Sequence, residues 1–112
     1  LNKSVLYKAF KKLKFEGVNT MTKEKFIGLL YAGYVDNEGY AKECYHKACV
    51  NQRYENYYNE DFWADKGTNY QKLSCVYYCL YLRYGSMNAR NFNSDIACKV
   101  VKILRNAEYA LY

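Results

Sequence analysis

Proline is absent from all 112 residues. No position therefore has a fixed φ or a missing backbone donor to stop or kink a helix. Histidine occurs once, as His46. A single imidazole, with no pair of cysteines at CxxC spacing, excludes the usual zinc constellations. The stretches rich in apolar residues all fall short of the ~18–20 needed to cross a bilayer. Neither a glycine-rich phosphate loop nor a GxSxG nucleophile elbow occurs. These gaps remove metal, nucleotide and α/β-hydrolase chemistry from the expectations, and no cofactor is expected.

What is present is tyrosine, 15 residues of it, in a chain that is 19% aromatic. Such a composition suits a folded domain rather than a disordered segment, and the length suits one domain, residues 1–112. Five cysteines in so short a chain point to an oxidising compartment. With no signal peptide in the sequence and no initial Met, a mature secreted fragment or a trimmed piece is expected. An Asn2-Lys3-Ser4 sequon stands at its start. The net charge of +6 divides unevenly: residues 1–25 hold seven Lys against two Glu, residues 34–66 hold four basic against seven acidic residues, and residues 67–112 hold six against two. Basic ends of this kind fit either solvated helix faces or a surface for an anionic partner such as a lipid headgroup or a nucleic acid.

Periodicity predicts five helices, over about Lys3–Glu16, Thr22–Tyr34, Glu38–Tyr57, Asn69–Tyr84 and Asn91–Leu111. In the first, Val5, Leu6, Ala9, Phe10 and Leu13 share one face while Lys8, Lys11 and Lys12 share the other. Asp36 and Asn37 suit a turn or cap in a loop at Val35–Gly39. Asn59–Asn69 reads as a second loop whose Phe62 and Trp63 fold back on the core. Within the fourth segment, Leu73–Tyr84 holds only Ser74 and Arg83 as plainly polar residues, so it is expected to be buried on all sides. The fold class is thus all-α, a compact five-helix bundle braced by disulfides.

Cys44 and Cys49 are five apart, and Cys75 and Cys79 four apart. Neither spacing suits a bridge within one helix. Antiparallel neighbours across the two loops would pair Cys49 with Cys79 and Cys75 with Cys98, each closing a loop of roughly 20–30 residues and contributing about 3–4 kcal/mol in the chain-entropy model. Cys44 is then left over, available for a disulfide-linked dimer.

Both close pairs enclose tyrosine: Cys44-Tyr45-His-Lys-Ala-Cys49 and Cys75-Val-Tyr77-Tyr78-Cys79. A duplicated Cys–Tyr–Cys pattern in a small Tyr- and Asn-rich chain resembles the BICYCLE effectors of gall-forming aphids. The resemblance implies a salivary protein delivered into plant tissue, with an undefined molecular activity and a host protein as partner. It also implies a helical, saposin-like fold. The six end-placed cysteines of saposins themselves are missing, so lipid handling does not carry over and a lipid surface stays an alternative.

Catalysis is not expected. Cys44 and His46 project about 200° apart on one helix, the wrong geometry for a Cys–His nucleophile pair. The order of Asn59-Glu-Asp-Phe62-Trp63, Cys75, Cys79 and Asp95-Ile96-Ala-Cys98 also resembles animal-type lysozymes, with Glu38 near the acid position. Gln52 stands where a second carboxylate would be needed, so that resemblance implies an inactive relative. Tyrosines beside basic residues can stack on single-stranded nucleic acid, but Tyr77, Tyr81 and Tyr84 fall on the central helix and suit core packing, so nucleic acid is not an expected partner. Tyr54, Tyr57 and Tyr58, beside Arg53, read as exposed and suit a protein interface at least as well.

Overall fold

A computed structural model describes residues 21–111, and among these the structure is helical with no strand. Helix α1 spans Lys23–Arg53, α2 spans Tyr57–Gly85 and α3 spans Ser94–Ala110, with a short 3-10 turn at Ala89–Asn91 before α3. Each start is capped by a side-chain oxygen accepting from a backbone N–H that the helix cannot satisfy itself. Thr22 accepts from Lys25, Asn56 from Asn59 and Asn93 from Ile96. The predicted segment Lys3–Glu16, with Lys8, Lys11 and Lys12, lies outside the described residues.

The all-α class holds, but two predicted breaks do not occur. Thr22–Tyr34 and Glu38–Tyr57 fuse into the 31-residue α1, and Asn59–Asn69 joins Asn69–Tyr84 in the 29-residue α2. At the first break, Asp36 and Asn37 turn inward and are buried. The Asn37 side-chain Nδ2 donates to the Gly33 carbonyl at 2.7 Å, so it bonds within α1 instead of capping a new helix. At the second, Thr68 Oγ1 donates to the Ala64 carbonyl at 3.0 Å, which keeps Gly67-Thr68-Asn69 inside the helix. Phe62 and Trp63 therefore ride on a helix rather than plugging the core from a loop.

The chain reverses instead at Tyr54–Asn56. Glu55 N–H donates to Gln52 O at 3.0 Å and Asn56 N–H to Asn51 O at 2.9 Å. This is the double closure of a Schellman motif, in which the residue after the cap adopts the left-handed region. Glu55 fills that place with φ 57.

Helices α1 and α2 then run back along each other in constant register. Phe26 meets Tyr84 edge to face at 4.8 Å, Tyr31 meets Tyr81 at 5.3 Å, Tyr34 meets Tyr78 at 4.7 Å, and Tyr40 meets Tyr70 at 5.3 Å. Ser74 Oγ donates to the Tyr34 carbonyl at 2.8 Å. The residue numbers of each pair add to about 110, as an antiparallel αα-hairpin requires. Two glycines permit the close approach. A Cβ on Gly33 would lie within 2.5 Å of three carbons of the Tyr77 ring, and one on Gly67 would lie 3.2 Å from Cys44 Cβ.

Helix α3 lays Ala97, Cys98, Val101 and Leu104 onto a core made with Met21, Phe26, Leu29, Leu30, Leu73 and Tyr77. A second, smaller core of Tyr40, Ala41, Cys44 and Tyr70 lies further toward the reversal. The described body measures 55 × 28 × 18 Å, long because the hairpin is long. Leu73–Tyr84 is consequently covered on one side only. It buries Leu73, Ser74 and Tyr77 but exposes Cys75, Val76, Tyr78, Cys79 and Leu82, which corrects the expectation of burial all round.

Candidate functional site

The hairpin geometry decides the cysteines. None forms a disulfide, and Cys49, Cys75 and Cys79 are exposed free thiols, while Cys44 and Cys98 are buried. The expected Cys49–Cys79 bridge fails on register. With the reversal at Tyr54–Asn56, Cys49 stands across from residue ~61, and Cys79 lies roughly 18 residues further along α2, about 27 Å at the helical rise. The expected Cys75–Cys98 bridge fails on facing: Cys98 is packed in the core beside Leu73 and Tyr77, whereas Cys75 points out from the opposite side of α2. Disulfide bracing is therefore replaced by the aromatic and aliphatic packing of the hairpin.

The two Cys–Tyr–Cys motifs stay apart. In the first, the Tyr45 hydroxyl donates to Gln71 Oε1 at 2.9 Å and lies 3.2 Å from Thr68 Oγ1, tying α1 to α2. In the second, Tyr77 is buried and its hydroxyl donates to Glu108 Oε2 at 3.3 Å, tying α2 to α3. Tyr78 instead joins Tyr31, Tyr34 and Tyr81 in a ladder of rings on the outer face, with centroids 4.7–6.3 Å apart. The Tyr34 hydroxyl is held above its ordinary pKa by the Glu38 carboxylate, with burial adding to it.

At the reversal, the side chains of Tyr54, Tyr57 and Tyr58 stand 81%, 61% and 82% exposed, beside exposed Arg53, and Phe62 follows at 51%. Four large aromatic side chains thus lie within nine residues at one end of the molecule. Among the described residues, none of the four belongs to either buried core cluster. Aromatic side chains are enriched in protein interfaces relative to the rest of the surface.

One turn further in, Phe62 and Trp63 pack edge to face at 5.1 Å. Lys47 Nζ lies 4.2 Å and Lys66 Nζ 5.5 Å from the indole centroid, so two ammonium groups, one from each helix, share one ring. Beside them opens a pocket of about 120 Å³ lined by Tyr40, Glu43, Cys44, Lys47, Trp63, Lys66 and Tyr70. The two lysines outnumber its one carboxylate, which favours an anionic guest. Tyr70 at its floor has its pKa pushed up to about 12 by burial, with Cys44, Glu108 and Glu43 adding to the rise. Its hydroxyl donates to the Leu111 carbonyl at 3.3 Å.

The pocket was not legible in the sequence. Lys47 and Trp63 are sixteen positions apart and meet only in the hairpin register. Cys44 is buried and His46 exposed. Glu38 and Gln52 lie on the same helix, about 21 Å apart at the helical rise, beyond the carboxyl spacing of glycosidases; Glu38 instead pairs with Lys42 at 3.6 Å. Among the described residues no three or more His, Cys, Asp and Glu side chains gather to hold a metal ion, and no helix is long and apolar enough to cross a membrane. The chain matches no protein-family model, no curated protein and no solved structure.

Proposed function

We propose that this chain is a non-catalytic binding protein that engages a host protein through the aromatic end of its hairpin, in the secreted-effector role implied by its resemblance to the BICYCLE proteins. The observation that carries the reading is the exposure of Tyr54, Tyr57, Tyr58 and Phe62 around one turn. Tyrosine supplies large contact area with few rotatable bonds, so it binds at low entropic cost. Arg53 beside it adds a planar cation of the kind enriched in protein interfaces. The adjoining pocket, with Lys47 and Lys66 around Trp63, suits an acidic side chain of the partner.

A saposin-like lipid binder is the competing reading, and one experiment separates the two. Immobilised protein and a Tyr54→Ala/Tyr57→Ala/Tyr58→Ala variant are presented with plant extract and, separately, with anionic vesicles. A host protein retained by the wild type and lost by the variant, with no vesicle capture, supports the reading. Equal retention by both proteins, or capture by vesicles alone, overturns it.

A further inference from the structure

Cys75 and Cys79 are four residues apart on α2, and both are exposed free thiols. Residues at this spacing place their Cβ atoms about 5–6 Å apart on one helical face. A disulfide needs about 3.5–4.5 Å, so the two cannot oxidise to each other while the helix is intact. An ion between them closes the gap: with a metal–thiolate bond near 2.3 Å, a linear sulfur–metal–sulfur unit separates the sulfurs by about 4.6 Å, a span that side chains one turn apart can meet.

The surroundings select which ion. No Asp or Glu occurs from Lys66 to Ser94, so oxygen ligands for hard cations are missing from this stretch. With no third His, Cys, Asp or Glu gathered among the described residues, a four-coordinate zinc site cannot be completed. Thiolates alone suit a soft ion, and Cu(I) accepts two of them. Lys72 lies one turn before Cys75 and Arg83 one turn after Cys79, both exposed, so the stripe reads cation, thiol, thiol, cation. Exposed Val76, Tyr78 and Leu82 flank it and offer no competing charge.

We propose that Cys75 and Cys79 form a two-coordinate dithiolate site for Cu(I). Each thiol releases one proton and each sulfur donates a lone pair to the ion, and no electron is transferred. One Cu(I) replaces two protons, leaving a complex of charge −1 that Lys72 and Arg83 offset.

The test is an anaerobic titration of the folded protein with Cu(I) supplied as its bicinchoninate complex. One Cu(I) per chain leaves the chelator, the oligomeric state is the same with and without copper, and the helical circular dichroism is unchanged. Cys75→Ser and Cys79→Ser each lose this transfer, while Cys49→Ser, which removes the other exposed thiol, retains it. No transfer to the wild type, an equal loss in Cys49→Ser, or a copper-dependent dimer of twice 13.3 kDa would each overturn the assignment.

Discussion

Replacing Gly33 by alanine should destabilise the protein, although alanine is the better helix former. In an open helix the exchange gains about 1 kcal/mol. At Gly33 the new methyl would sit within 2.5 Å of Tyr77 Cζ and two further ring carbons, and Tyr77 is only 1% exposed. The ring cannot retreat, because its hydroxyl is bonded to Glu108 and its face is packed in the main core. The helices must separate instead, and overpacking of this kind costs about 1–3 kcal/mol, at times more. Contacts this short put the cost in the upper part of that range, about 2–3 kcal/mol, so the net expectation is a loss of about 1–2 kcal/mol, or a fall in Tm of roughly 4–15 °C for a domain of this size. Gly28 is the internal control. It lies on the same helix with nothing near its added Cβ, so Gly28→Ala should stabilise by about 0.5–1 kcal/mol. Thermal unfolding followed by circular dichroism reads both. A Tyr77→Leu background should shrink the penalty at Gly33, because the clash partner is gone. Two glycine substitutions of the same sign would refute the hairpin register.

Further outcomes follow from the same geometry. Glu55→Gly should stabilise by about 1 kcal/mol in chemical unfolding, since Glu55 holds a left-handed φ of 57 that costs an L-residue about 1–2 kcal/mol. Under native conditions a thiol reagent should modify Cys49, Cys75 and Cys79 rapidly and Cys44 and Cys98 only on unfolding; peptide mapping that found disulfides instead would contradict the structure. Tyr70, with its folded pKa raised to about 12, keeps its proton when unfolded tyrosine has lost its own near pH 10. Its contribution is therefore full below pH 10 and is lost as pH rises through about 12; Tyr70→Phe should flatten that part of the stability profile.

The helical class, a helix start near Thr22 and the C-terminal limit of α3 are readable from the sequence because they depend on neighbours within a few residues. The breaks are not. Asp36-Asn37 and Gly67-Thr68-Asn69 carry the residues that usually end helices, yet here they bury or bond within a helix because the opposite helix lies close. Placing a loop at Asn59–Asn69 moved the assumed reversal about nine residues past the true turn at Glu55, and a hairpin register shifts by twice such an error. That shift is what sets Cys49 opposite Cys79 in the sequence reading. The same nonlocality hid the Lys47–Trp63–Lys66 pocket. The exposed run from Arg53 to Tyr58 was easier to read, since it follows a helical face that has run out of apolar partners.

The aromatic end is the proposed binding surface, and crosslinking tests it directly. A photo-reactive phenylalanine placed at Tyr58, and in a second protein at exposed Tyr109 on α3, would be irradiated in plant extract. The expected result is a covalent adduct with a host protein from position 58 and none from position 109, with the adduct suppressed by excess wild-type protein and not by the Tyr54→Ala/Tyr57→Ala/Tyr58→Ala variant. Adducts from position 109 alone, or competition by both proteins alike, would contradict it.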